Sequence, residues 1–306
     1  MVYSVARRDE PDGLLSAAAE QGRVCALATD CLRDLQECAA KYPALFSAKP
    51  FGPTVFSGVA LANAFGSPRA TAAQIRIAAR TALWAFAVDW LMDYVATSRD
   101  EIDAIVSGCE AVGDGAPPDP DVPVQGFLAE LRDELARRPG WAAQYPVWRE
   151  HLRRYLLANA REWDWKAART AGDDTAALPS LEDYLANADN FGSSLVNVSH
   201  WIDNQAVGTA GDLERLAEAS AEVQRALRLL NDLATYERDV AWGDLNSLML
   251  GLTPGDVRQR IAASVARCEE LIEPLTADFP AEADYLIRQI GYSSGYYGST
   301  DYWGSL

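Results

Sequence analysis

Histidine is almost absent from this 306-residue chain; only His151 and His200 occur. That argues against a His-based triad or a His-rich metal centre. The five cysteines, Cys25, Cys31, Cys38, Cys109 and Cys268, are odd in number and form no CxxC pair. Reduced, mostly buried thiols fit that pattern better than a disulfide framework. The opening MVYSVARRDEPDG has no apolar h-region, so a cytoplasmic protein without a signal peptide is expected. No apolar run approaches the roughly 20 residues of a membrane span, so no membrane partner is expected. Positive charge is also short: 27 Lys and Arg stand against 44 Asp and Glu, a net −17. Such a surface repels a phosphate backbone and excludes nucleic acid as a partner. An anionic small substrate would need metal ions to invert the local field.

What the chain has is helical periodicity, with Ala and Leu dominant and no strand alternation. The pattern predicts helices over 14–42, 72–97, 125–138, 145–171, 180–206, 211–241 and 254–278. Pro43, Pro50 and Pro53 predict an irregular segment over 43–55. The run GDGAPPDPDVPV at 113–124 reads as a loop. Similar helices lie on both sides of it, so one all-α, single-domain helical bundle over 1–306 is expected. Residues 1–13 are expected to be disordered, and the Gly-, Ser- and Tyr-rich 291–306 to form a C-terminal lid.

Two helices carry oxygen donors on otherwise apolar faces. In ALWAFAVDWLMDYV, Asp89 and Asp93 are four apart and project from one face. Two bare carboxylates are costly to bury in that setting, and a metal removes the penalty. In LLNDLATYERDVAWGDLNS, Asn231, Thr235 and Asp239 fall at i, i+4 and i+8. Amide, hydroxyl and carboxylate oxygens are hard donors suited to magnesium, which fills its octahedron with waters and phosphate oxygens. Arg238 beside them is placed to touch the same phosphate. Gly192, Ser193 and Ser194 interrupt a predicted helix. Trp84, Phe86, Trp90, Phe191 and Trp201 are candidates for an aromatic pocket lining, although core packing explains each of them as well.

These segments resemble the two metal motifs of class I terpene synthases, DDxxD and NDxx(S/T)xxx(E/D). Asp89 and Asp93 match the outer aspartates of the first motif. Asn231, Thr235 and Asp239 match the ligand positions of the second. The stretch 161–188, the continuation GDLNSL and the closing GYYGSTDYW are similar to the labdane-related, kaurene-synthase-like branch. The resemblance implies a catalytic α-domain that holds three Mg²⁺ on an isoprenoid diphosphate, with Arg238 and Tyr302 on the diphosphate. It further implies a C20 substrate, a bicyclic copalyl-type diphosphate made by a partner enzyme, and a homodimer. Linear geranylgeranyl diphosphate is the alternative substrate; a non-catalytic isoprenoid-binding protein and a chain-elongating synthase are the rival readings. Three departures stand out: Trp90 replaces the second aspartate, Asp239 replaces the commoner Glu, and 184–192 contains no diphosphate-sensing Arg, with Ala188 at the matching position.

Overall fold

The computed structural model describes residues 11–170 and 178–304. Among them there are helices and turns but no strand. The order is α1 (Pro11–Ala39), α2 (Pro43–Phe46), α3 (Pro53–Gly66), α4 (Ala72–Trp90), a π turn (Leu91–Val95), α5 (Arg99–Gly113), α6 (Pro123–Leu135) and α7 (Trp141–Thr170). After residues 171–177, outside the described part, come α8 (Leu181–Ala186), a 3₁₀ turn (Ala188–Phe191), α9 (Ser193–Asp203), α10 (Ala210–Trp242), α11 (Pro254–Ile272) and α12 (Pro280–Tyr297).

Local chemistry sets most boundaries. Thr71 and Gln74 form a reciprocal capping box at the start of α4, and Thr253 with Asp256 does the same for α11. Proline starts α2, α3, α6, α11 and α12 within the first helical turn, where its missing N–H has no partner to lose. The stretch 43–55 is therefore not simply irregular, because Pro43 and Pro53 open helices. Gly243, at φ 79°, closes the 33-residue α10.

One large apolar core runs from Val24 to Trp303 and takes in the inner faces of α1, α3, α4, α7, α9, α10 and α12. A smaller cluster of Tyr184, Leu185, Leu229, Leu245 and Val257 sits under α8 and α11. Four of the five cysteines are buried, Cys25 is exposed, and none is paired. Among the described residues no helix is long and apolar enough to cross a membrane.

The C-terminal segment departs most from expectation. Residues 280–297 form a full helix that the sequence did not signal, and Tyr285, Leu286, Ser293 and Tyr297 are buried along it. Beyond it Trp303 packs against Phe51 and Phe86. The expected disorder at 1–10 and the tip 305–306 of the expected lid lie outside the described residues, while 11–13 already belong to α1.

Both histidines are buried, and burial lowers each from 6.5 to about 4. They are bases that the unfolded chain protonates first, so their stabilising share is present above pH 6.5 and is lost as pH falls towards 4. Each accounts for about 3 kcal/mol on full titration. His151→Gln is therefore expected to lose less stability than the parent in urea melts compared at pH 7.5 and pH 4.5.

Candidate functional site

The apolar faces of α3, α4, α7, α9, α10 and α12 enclose a cavity of ≈ 250 Å³. Asp89, next to last in α4, and Asp93, in the π turn, both line it. The backbone widens here: the Ala96 N–H bonds the Leu91 carbonyl five residues back. The predicted helix over 72–97 thus ends early, and the two aspartates share a cavity across a change of helix type. Among the described residues neither carboxylate has a hydrogen-bond or ion-pair partner. Burial, then the charge of Asp244, raises Asp89 to about 7 against the pull of Arg238 and Lys166. Burial, then Asp89 and Asp244, raises Asp93 well above the usual carboxylate range. A carboxylate pair pushed towards neutrality by its surroundings is stabilised as an anion by a bound cation.

Across the cavity, α10 presents Asn231, Arg238 and Asp239. Tyr297 stands against Asn231. Asp239 accepts from Thr235 Oγ1 at 2.7 Å, Asn246 Nδ2 at 2.8 Å and Arg238 Nη2 at 3.2 Å. Thr235 itself is buried behind that bond and does not line the cavity. Arg238 Nη1 lies 2.8 Å from Asp301, yet among the described residues Nη1 and Nε are buried without an aligned acceptor. Those unmatched donors fit an anionic group at the mouth.

The mouth holds more charge than the sequence motifs reveal. Arg228 is buried and donates to the Asn187 carbonyl at 3.0 Å, Asn190 Oδ1 at 2.7 Å and Glu162 Oε1 at 2.5 Å. Its guanidinium lies 3.6 Å from the centre of the Tyr184 ring. From α7, Lys166 donates to Asp244 Oδ1 at 2.7 Å and to the Asp93 carbonyl at 3.0 Å, and the Tyr94 hydroxyl donates to the other oxygen of Asp244. Arg228 is three residues before Asn231 on the same helical face, a spacing that could have flagged it. Glu162, Lys166 and Asp244 had no such signal, because they meet the site only through tertiary packing. Six acids (Asp89, Asp93, Glu162, Asp232, Asp239 and Asp244) thus line the cavity with three bases, Lys166, Arg228 and Arg238. Among the described residues no three His, Cys, Asp or Glu side chains converge tightly enough to hold an ion alone. Any ion here would draw on the amide of Asn231 and on ligand oxygens as well.

Of the pocket candidates, Phe86, Phe191, Gly192 and Ser193 line the cavity, as does Tyr302, expected on the diphosphate, whereas Trp84, Trp90, Ser194 and Trp201 do not. Trp84 is core and donates to the Val124 carbonyl, and Trp201 is fully packed. Trp90 stacks on Tyr94 and meets Phe51 and Trp303 edge-on or tilted. Ser194 is buried, bonded from its backbone N–H to Gln224 and from Ser220 at its hydroxyl. The predicted helix over 180–206 is broken: Gly192 adopts φ 76° between the 3₁₀ turn and α9. A Cβ there would come within 3.0 Å of the Tyr155 ring, so conformation and space both require glycine.

The chain matches the family described as terpene synthase family 2, C-terminal metal binding, over residues 80–253. It is 27% identical over 284 residues to ent-pimara-9(11),15-diene synthase of Streptomyces sp. (strain KO-3988), covering 91% of this chain and 93% of that one. Its fold is similar to linalool/nerolidol synthase from Streptomyces clavuligerus in complex with 2-fluorogeranyl diphosphate, at TM-score 0.65 and 18% identity over 89% of this chain and 94% of that one. It is also similar to 2-methylisoborneol synthase from Streptomyces coelicolor A3(2) in complex with Mg²⁺ and geranyl-S-thiolodiphosphate, at TM-score 0.69 and 15% identity, over 92% and 93% of the two chains.

Proposed function

We propose that this chain, which belongs to terpene synthase family 2, ionises a C20 diphosphate and cyclises the resulting cation to a diterpene. It is a terpene cyclase that acts on prenyl diphosphates with a divalent metal cofactor. The observation that carries the ionisation chemistry is the meeting of Asp89 and Asp93 with Asn231 and Asp239 around one cavity whose other walls are largely apolar.

The donor set fits the metal. Hard oxygens predominate, two carboxylates lack partners among the described residues, and basic side chains stand beside them. Asp89, Asp93, Asn231 and Asp239 would hold the ions, three Mg²⁺ by resemblance. Thr235 has its hydroxyl turned to Asp239 and would act by fixing that carboxylate. When bound, divalent magnesium neutralises the leaving diphosphate and polarises its C–O bond. Arg228, Arg238 and Lys166 are placed to bind the diphosphate oxygens. The rings of Phe86, Phe191 and Tyr155 face the cavity and can stabilise positive charge there. Water is kept out by the docked C-terminal segment, where Asp301 pairs with Arg238 and Trp303 packs against Phe51 and Phe86.

A bicyclic copalyl-type substrate is favoured by the labdane-like run of 161–188 and by the ent-pimaradiene synthase relative. A separate protein would then make the bicycle. The test is to supply purified protein and Mg²⁺ with each copalyl diphosphate stereoisomer and with linear C15 and C20 diphosphates, and to analyse products by mass spectrometry. Cyclisation of the linear C20 substrate alone would overturn the bicyclic assignment.

The docked tail carries its own prediction. Cutting at Gly295 would remove buried Tyr297 and cutting at Ser299 would remove core Trp303, so the informative change is Asp301→Ala, which unpairs the tail from Arg238. That variant is expected to keep its melting temperature within a few degrees, turn over about tenfold more slowly and release more water-quenched alcohol. An unchanged rate and product ratio would rule out a lid.

A further inference from the structure

The closed end of the cavity is not uniformly apolar. On α3, Asn63 is only 6% exposed and lines it. Its Nδ2 donates to the Val59 carbonyl at 2.9 Å, while among the described residues its carboxamide oxygen has no partner. On α12, Gln289 lines the same space. It is locked head to tail with Asn197: Gln289 Nε2 donates to Asn197 Oδ1 at 2.7 Å, and Asn197 Nδ2 donates to Gln289 Oε1 at 3.0 Å. Asn197 is 0% exposed. It also donates to Ser220 Oγ at 2.8 Å and accepts from the Tyr285 hydroxyl at 3.0 Å. Both of its amide hydrogens and both lone pairs are thereby used. Asn197 has no capacity left for a ligand and serves to hold Gln289, which keeps one N–H and one lone pair free.

Gly66 of α3 abuts Tyr285, and Gly58 abuts Tyr296 and Tyr302. That antiparallel register sets Asn63 level with Gln289. Both lie far from the charged mouth, since Gln289 is eight residues before Tyr297, about 12 Å along the helix. The cavity is also lined by Val59, Ala62, Ala82 and Val196, and by Tyr285, Tyr292 and Ser293 within a turn of Gln289. A carboxamide oxygen unpaired in such surroundings is unfavourable unless something meets it.

We infer that the carboxamide oxygens of Asn63 and Gln289 form a fixed dipole site that holds the ring-borne positive charge at the closed end of the cavity and so determines the product. This rests on the cyclase reading above. A dipole that needs no reorganisation stabilises charge at one place and not at its neighbours, so it favours one cation among rearrangement partners of similar energy. Asn197 is the positioning residue.

The experiment compares the parent with Asn63→Leu and Gln289→Met, two near-isosteric changes on different helices. Products are measured by gas chromatography and mass spectrometry per molecule of substrate consumed, alongside diphosphate release and melting temperature. The expected result is that the ratio of the main product to its rearrangement partners changes by about tenfold or more in both variants, with Asn63→Leu melting no lower than the parent. An unchanged ratio in both would overturn the inference, and so would a lower melting temperature without a product change, which would make Asn63 a packing residue. Diphosphate release by the parent tests the cyclase reading separately. A parent that releases none overturns both; a parent that releases it while the variants keep its product ratio overturns the dipole site alone.

Discussion

Asp89→Ala is expected to lower turnover about a thousandfold or more and to leave the fold intact, and Asn231→Ala is expected to follow it closely. Among the described residues the Asp89 carboxylate has no hydrogen-bond or ion-pair partner, so its removal breaks no such side-chain contact. Its carboxylate is instead a destabilising group in metal-free protein. With its pKa raised from 3.8 to about 7, the folded state disfavours the anion, and the penalty grows as pH rises through that interval. The variant should therefore melt at or above the parent temperature at pH 8 without metal. Added Mg²⁺ with inorganic diphosphate should raise the parent's melting temperature and not the variant's. A variant that loses activity by unfolding would contradict the assignment of Asp89 to the metal.

Arg228→Met should be the second most damaging change, and it should damage differently. Arg228 is buried against Glu162, two acceptors from the 187–190 segment and the face of Tyr184. Removing it leaves Glu162 with Asn187 Nδ2 as its hydrogen-bond donor. The expected cost is about 3–5 kcal/mol in urea unfolding, the usual price of orphaning one member of a buried pair. Lys cannot reproduce the forked contacts, so Arg228→Lys should recover little. If Arg228 also binds diphosphate, KM rises in the residual folded fraction. A stability loss with unchanged KM would confine it to holding α7, α10 and the 187–190 segment together.

The contrast between these residues shows what could be read from the chain alone. Asp89, Asn231 and Asp239 were legible because helical spacing and apolar neighbours mark a face. The all-α class was legible for the same reason. Arg228 lies on the face that Asn231 marks, but a single arginine carries no metal-ligand signal. Lys166 and Asp244 reach the mouth from α7 and from the loop after α10, a meeting that no local pattern encodes. Helix α12 was missed because GYSSGYY has poor intrinsic helix propensity; its buried Tyr and Leu face supplies the stability that propensity lacks. The interruption at Gly192 was legible in its Gly-Ser-Ser run, and the left-handed φ of 76° makes it a break rather than a bend. Trp84 and Trp201 are core because an aromatic residue on a buried helix face meets other helices more often than a cavity.

The excess of acids over bases around the cavity makes substrate and metal thermodynamically inseparable. Six acids stand against three bases, and even with Asp89 and Asp93 pushed towards neutrality they offer a diphosphate that arrives alone no net positive charge. Linkage would then work in both directions: a bound divalent cation would raise diphosphate affinity, and diphosphate would raise the cation's affinity by the same factor. Apparent KM should fall steeply as free Mg²⁺ is raised, with the two ligands binding in concert. The same excess of acids would favour release of diphosphate once the cations had left the site.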